Sequence, residues 1–151
     1  MGRVLILGGW LLLAACSGGG HPANGPVGEA LDKLGYALPP EAEFLMLVPL
    51  EGCGKCAEAC VAFSKQHLGN RKIVFAVVSG MGPREPRTRY TEAERQAPNL
   101  VLDGQGAFLR GGVIGGEVTL LHLERGRVVF KEVFRPETVA PRLVRLVQGL
   151  E

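Results

Sequence analysis

The sequence predicts an α/β fold in which a mixed central sheet carries helices on both faces. Three observations lead there. Residues 44 to 78 read as strand, helix, strand over roughly the 30-residue length of a β–α–β unit, which favours a parallel pair with a right-handed crossover. Two later apolar runs flank Glu124-Arg125-Gly126-Arg127 and read as an antiparallel hairpin. The chain then closes on an amphipathic helix, so β–α–β, connection, β–β–α implies a sheet covered on both sides.

The elements follow in order. Met1 to Ala15 has one positive charge at Arg3 and an uncharged, proline-free stretch from Val4 to Ala15, the shape of a secretory signal. It is too short for a membrane-crossing helix, which takes about 20 residues. Leu13-Ala14-Ala15-Cys16 resembles the bacterial lipoprotein lipobox, which implies cleavage before Cys16, lipidation of its thiol and a domain held at the cell envelope. Ser17, where an inner-membrane retention signal places aspartate, resembles outer-membrane sorting if the source has two membranes. Residues 16–26, rich in glycine and proline, read as a lipidated cysteine and flexible tether, and 27–151 as the folded domain.

Within that domain Val27, Ala30, Leu31 and Leu34 have helical spacing, and Gly35 ends the pattern. Phe44 to Val48 is a short apolar run closed by Pro49, as expected of a strand buried on both faces. Lys55 to Leu68 reads as helix, stopped by Gly69-Asn70. Ile73 to Val78 reads as a second buried strand. Residues 79–98 are polar and rich in arginine and proline; Arg84, Arg87 and Arg89 admit an anion-site reading but are better read as a solvated loop, and Thr91-Glu92-Ala93-Glu94 as the capping box of one helix. Asn99 to Leu102 is a short strand closed by Asp103-Gly104. The run Gly111 to Gly116 lacks the Lys-Ser/Thr of a phosphate loop and reads as a flexible connection. Val118 to Leu123 and Val128 to Phe134 form the hairpin. Val139, Leu143, Leu146, Val147 and Leu150 give the last helix one apolar face, with Pro141 tolerable in its first turn.

Composition excludes several function classes. The chain of 151 residues is 46% hydrophobic and carries 17 basic against 15 acidic side chains, so neither disorder nor nucleic-acid binding is indicated. Its 22 glycines and 10 prolines have no repeat period, which excludes collagen-like and low-complexity chains.

The chemistry lies in the four cysteines. Glu51-Gly52-Cys53-Gly54-Lys55-Cys56 sits between the first core strand and its helix. At a helix N-terminus the unpaired N–H groups and the dipole favour a thiolate on Cys53, and Lys55 adds positive charge. Such a thiolate can attack a substrate disulfide, and Cys56 can resolve the mixed disulfide; two intervening residues permit a Cys53–Cys56 ring. Cys60 lies one turn beyond Cys56 on the same face, with Phe63 and His67 continuing the stripe. It reads as a buried apolar residue, an alternative disulfide partner, or a soft-metal ligand with Cys56.

On these residues, roughly Phe44 to Gly149, the chain resembles the thioredoxin-like superfamily, and most closely its membrane-tethered, envelope-facing thiol–disulfide oxidoreductases. The resemblance implies Cys53 as nucleophile, Cys56 as resolving thiol, a Cys53–Cys56 disulfide, protein thiols or disulfides as partners, a membrane electron donor or acceptor, and no cofactor. One alternative is a copper chaperone, because Cys56 and Cys60 have the CxxxC spacing of Sco-like proteins, although those also use a histidine from a separate loop, whereas His67 falls on the helix, His122 mid-strand and His21 in the tether; the other is a non-catalytic thioredoxin-like lipoprotein that holds a partner. The chain departs from the superfamily at three places. Gly52 replaces the tryptophan before the first cysteine. Leu47 stands where a buried acid often lies, with Glu51 and Glu58 nearby. Val118, or Glu117, stands where a cis-proline faces the dithiol, and a trans peptide is expected there. Separately, a peroxiredoxin-like reading requires threonine three residues before the reactive cysteine, where Leu50 stands, so peroxidase activity is disfavoured.

Overall fold

The structure is a computed structural model that describes residues 25–151. The signal segment, Cys16, His21 and most of the tether lie outside the described residues. Strands β1 (Phe44–Pro49), β2 (Ile73–Val78), β3 (Leu100–Asp103), β4 (Thr119–Glu124) and β5 (Arg127–Val133) form one sheet in the order β3-β2-β1-β4-β5. β1 pairs parallel with β2 and β2 with β3, while β4 is antiparallel to both β1 and β5. Five helices accompany them: α1 (Gly25–Lys33), α2 (Gly54–Gln66), α3 (Arg84–Thr88), α4 (Ala107–Arg110) and α5 (Val139–Leu150). The architecture is thus α/β, a five-stranded mixed sheet flanked by helices.

The strand sequences explain the layering. Alternate side chains leave opposite faces of a strand, so Leu45 and Leu47 of β1 join Val74, Ala76 and Val78 of β2 under Leu31 of α1 and Phe108 of α4. Met46 and Val48 join Phe75 and Val77 under Cys60 and Phe63 of α2 and Leu146 of α5. Both faces of β1 and β2 are therefore covered, which is why their sequences run apolar without alternation. β5 lies at an edge and exposes Val129, Phe130 and Val133. Its ladder is irregular: His122 faces Phe130 but Leu123 faces Val128, so Val129 is an extra residue. Arg125 and Gly126 both take positive φ (50° and 76°), as a two-residue hairpin turn requires.

Several boundaries and one element differ from the sequence expectation. α1 begins at Gly25 rather than residue 27, so the last two residues assigned to the tether are helical; Pro26 fits a first turn, where its missing N–H costs nothing. The capping box forms, with Thr91 N–H donating to Glu94 Oε2 at 2.7 Å and Glu94 N–H to Thr91 Oγ1 at 3.2 Å. Only a 3-10 turn, Glu94–Gln96, follows it, because Pro98 forces Ala97 into extended backbone. Arg84 and Arg87, expected in a loop, stand on the short helix α3, and Pro86 is tolerated within its first turn. The hairpin strands are shifted by one residue: β4 starts at Thr119 and β5 ends at Val133.

Buried polar groups fix the connections. Asn99, 2% exposed, accepts the Gly69 N–H at 2.7 Å and has its amide nitrogen 3.0 Å from the carbonyls of His67, Asn70 and Ile73. It ties the end of α2 and the start of β2 to β3. Asp103 is fully buried and accepts the N–H groups of Gln105 and Phe108, which terminates β3 and begins α4.

Candidate dithiol site

β1 delivers the chain to the sheet's rim, where Leu50 N–H still reaches Val78 O at 2.9 Å. Glu51 and Gly52 turn it, and Cys53 caps α2 in extended backbone (φ −69°, ψ 101°). Its Sγ accepts the Cys56 N–H at 3.4 Å, and its carbonyl accepts Ala57 N–H at 2.9 Å. Cysteine here takes the place of the usual oxygen cap and satisfies one of the helix's open donors. Cys53 is half-buried, Cys56 and Cys60 are fully buried, and all three are free thiols.

The environment separates the three thiols. The Cys56 side chain and backbone N–H, both bonded to Cys53, hold the Cys53 pKa below the ordinary thiol value, and the Lys55 backbone and charge act the same way. Burial pushes Cys56 up to about 11, helped by its bond to Cys53 and by the negative charges of Cys53 and Glu137. Burial likewise pushes Cys60 up to about 12. The half-buried Cys53 sulfur is thus the most acidic of the three, and the buried, protonated Cys56 behind it donates its N–H to it.

The other residues singled out in the sequence fall into place differently. Lys55 is exposed beside Cys53. Glu51 turns to the end of β2: its Oε1 accepts Ser79 Oγ–H at 2.7 Å and the N–H groups of Gly80 and Met81 at 2.6 and 3.2 Å. Burial raises its pKa, but these bonds outweigh it and leave the carboxyl below its ordinary value. Glu51 is therefore built into the turn after β2, and it is absent from the interactions that set the Cys53 thiol. Val118 is buried in the layer that holds Cys56, with its carbonyl accepting Phe134 N–H at 2.8 Å. No peptide bond among the described residues is cis.

Gly52 has a reason to be glycine. A Cβ built on it would lie 1.6 Å from Gly116 O and 2.6 Å from Gly116 C. The glycine-rich connection thus runs backbone against backbone over the residue before Cys53. The large side chain found there in the resembled superfamily has no room.

The histidines stand apart from the thiols. His67 caps the C-terminus of α2 and stacks on Phe63, ring centroids 4.3 Å apart. His122 lies between Phe44 and Phe130, toward the opposite end of β1 from the dithiol. Among the described residues no group of three or more His, Cys, Asp or Glu side chains is arranged to hold a metal ion.

Two participants escaped sequence reasoning. Glu137, in the turn before α5, projects negative charge onto Cys56; nothing in its local sequence marks it, since the α2–α5 contact brings it there. Ser64 continues the Cys56, Cys60 stripe at helical spacing and bonds Tyr90, Oγ to OH 2.6 Å, in a buried pair. The i, i+4, i+8 spacing was the available signal for Ser64. Comparison of the chain with protein-family models, curated proteins and solved structures finds no match. The fold and the site together define an α/β protein with two neighbouring cysteines at a helix N-terminus.

Proposed function

We propose that the chain is a thioredoxin-like thiol–disulfide oxidoreductase, tethered to the bacterial cell envelope through lipidated Cys16, with Cys53 as nucleophile and Cys56 as resolving thiol. The observation that carries this reading is the cap of α2, where an accessible, acidified Cys53 sulfur accepts the N–H of a buried, protonated Cys56. The strand order supports it: a β–α–β unit and an antiparallel hairpin share a sheet between paired helix layers, and the dithiol lies at the carboxyl end of β1.

The reaction uses two displacements. Cys53 thiolate attacks one sulfur of a substrate disulfide, that S–S bond breaks, and the other substrate sulfur leaves as thiolate. Cys56 then passes its proton to that released thiolate, attacks Cys53 Sγ and breaks the mixed disulfide, and the attacked substrate sulfur leaves as the second thiolate. The two electrons of the dithiol have passed to the substrate, and Cys53–Cys56 is the oxidised product. Run in reverse, the same steps oxidise a substrate dithiol. A membrane electron donor or acceptor restores the starting state.

Equilibration of the mature protein with glutathione buffers tests the reading. A reversible two-electron couple, abolished by Cys53→Ser and trapped as a mixed disulfide in Cys56→Ser, is expected. Failure of Cys53 and Cys56 to pair reversibly refutes it. Incorporation of labelled fatty acid, lost in Cys16→Ser, tests the anchor.

A further inference from the structure

The excursion between β2 and β3 lines two cavities in which no cysteine takes part. β3 is an edge strand, bonded on one side only. Phe75 N–H donates to Asn99 O and Ser79 N–H to Asp103 O, both at 2.8 Å. In a parallel ladder this alternation turns the odd-numbered peptide groups of β3 toward β2 and the even-numbered ones toward the open edge. Leu100 N–H is taken by Ala97 O at 3.2 Å. Leu100 C=O and both backbone groups of Leu102 remain without a protein partner among the described residues.

That short edge is bounded and roofed. At its far end Pro83 crosses the strand so closely that a Cβ on Gly104 would lie 2.1 Å from Pro83 Cα. At its near end stands the 3-10 turn. Between them is a cavity of about 380 Å³, with Leu100 and Leu102 as its apolar floor and Arg87, Arg95 and Glu92 around it. A second cavity, about 330 Å³, shares Pro83, Arg87 and Arg95 and adds Arg84. Arg95 is held in place by donating Nη1 to the carbonyls of Arg87 and Tyr90 at 3.0 and 3.2 Å. Three guanidinium groups thus face one carboxylate, a cationic surplus beside open backbone hydrogen-bonding groups.

We propose that this edge binds a short extended segment of an acidic partner protein, which adds two or three residues to β3 while its carboxylates meet Arg84 and Arg87. Unpaired strand edges take such segments through main-chain bonds, with side-chain pockets setting the preference. Arginine suits carboxylates because its planar fork can donate two parallel bonds. The site is independent of the dithiol, so Cys53→Ser leaves binding unchanged.

The test titrates the full mature protein into a fluorescein-labelled, end-blocked hexapeptide of alternating valine and glutamate and follows anisotropy. Saturable binding that weakens as salt rises is expected. Arg87→Glu and Arg84→Glu, both at exposed positions, should each weaken it about tenfold. The same peptide with alternate N-methylated residues, which tests the edge without altering the protein, should not bind. The proposal is overturned if the N-methylated or all-glutamine peptide binds equally well, or if the glutamate peptide does not bind. It is overturned too if inorganic phosphate alone occupies the site and excludes the peptide, or if sedimentation shows a second copy covering the edge.

Discussion

Replacing Gly52 with alanine tests the closest tertiary approach at the dithiol. The added Cβ would stand 1.6 Å from Gly116 O, whereas a relaxed carbon–oxygen contact needs about 3.3 Å. One backbone must therefore retreat by about 1.7 Å, and neither partner is a flexible side-chain end that could swing aside. Forced overpacking of this kind costs about 1–3 kcal/mol. For a domain of this size about 2 kcal/mol corresponds to a fall in Tm on the order of 10 °C. Gly54→Ala is the matched control two residues away: nothing lies within 4 Å of its added Cβ, it opens α2, and it should hold or slightly raise Tm. Thermal unfolding of the two variants beside the parent, followed by circular dichroism, reads the difference. Equal melting of the Gly52 and Gly54 variants would refute the contact and, with it, the explanation of why glycine precedes Cys53.

Three further outcomes follow from the polar interactions. Alkylation of Cys53 should rise through a midpoint below the ordinary thiol value of about 8.5, and Lys55→Ala should move that midpoint up, because one cationic neighbour is lost; Cys60 should stay unlabelled until the protein unfolds. Asn99→Ala should destabilise the fold by about 3 kcal/mol, read as a lower urea midpoint, because it strands several buried backbone groups at once. The Glu51 carboxyl has a folded-state pKa below its unfolded value, so its stabilising effect is present above about pH 4.3 and is lost as pH falls through the lower folded value. Glu51→Gln should abolish that pH dependence and speed hydrogen exchange at Gly80 and Met81.

What the sequence revealed depended on where each signal resides. β1 and β2 were legible because double-sided burial leaves uninterrupted apolar runs, and α5 because one face alone is covered. The Cys53–Cys56 spacing and its seat between strand and helix were equally local. α3 was not legible, since Pro86 within it and Pro83 at its N-cap suppress the helical pattern, although Pro86 is harmless in a first turn. Glu51 could be located near the cysteines, but only the fold shows that it serves the turn after β2. Gly116 over Gly52, Glu137 near Cys56 and Pro83 over Gly104 join residues far apart in the chain, and backbone approach leaves no periodic trace.

The extra residue at Val129 bears on the colloidal behaviour of the molecule. A straight outer strand displaying Val129, Phe130 and Val133 would offer neighbouring copies an unbroken row of donors and acceptors beside an oily strip, the ingredients of sheet-on-sheet growth. The bulge interrupts that row and bends the strand. The exposed apolar side chains of the hairpin's outer strand thus lie beside a broken rather than a continuous row of backbone groups, a poorer template for pairing between copies.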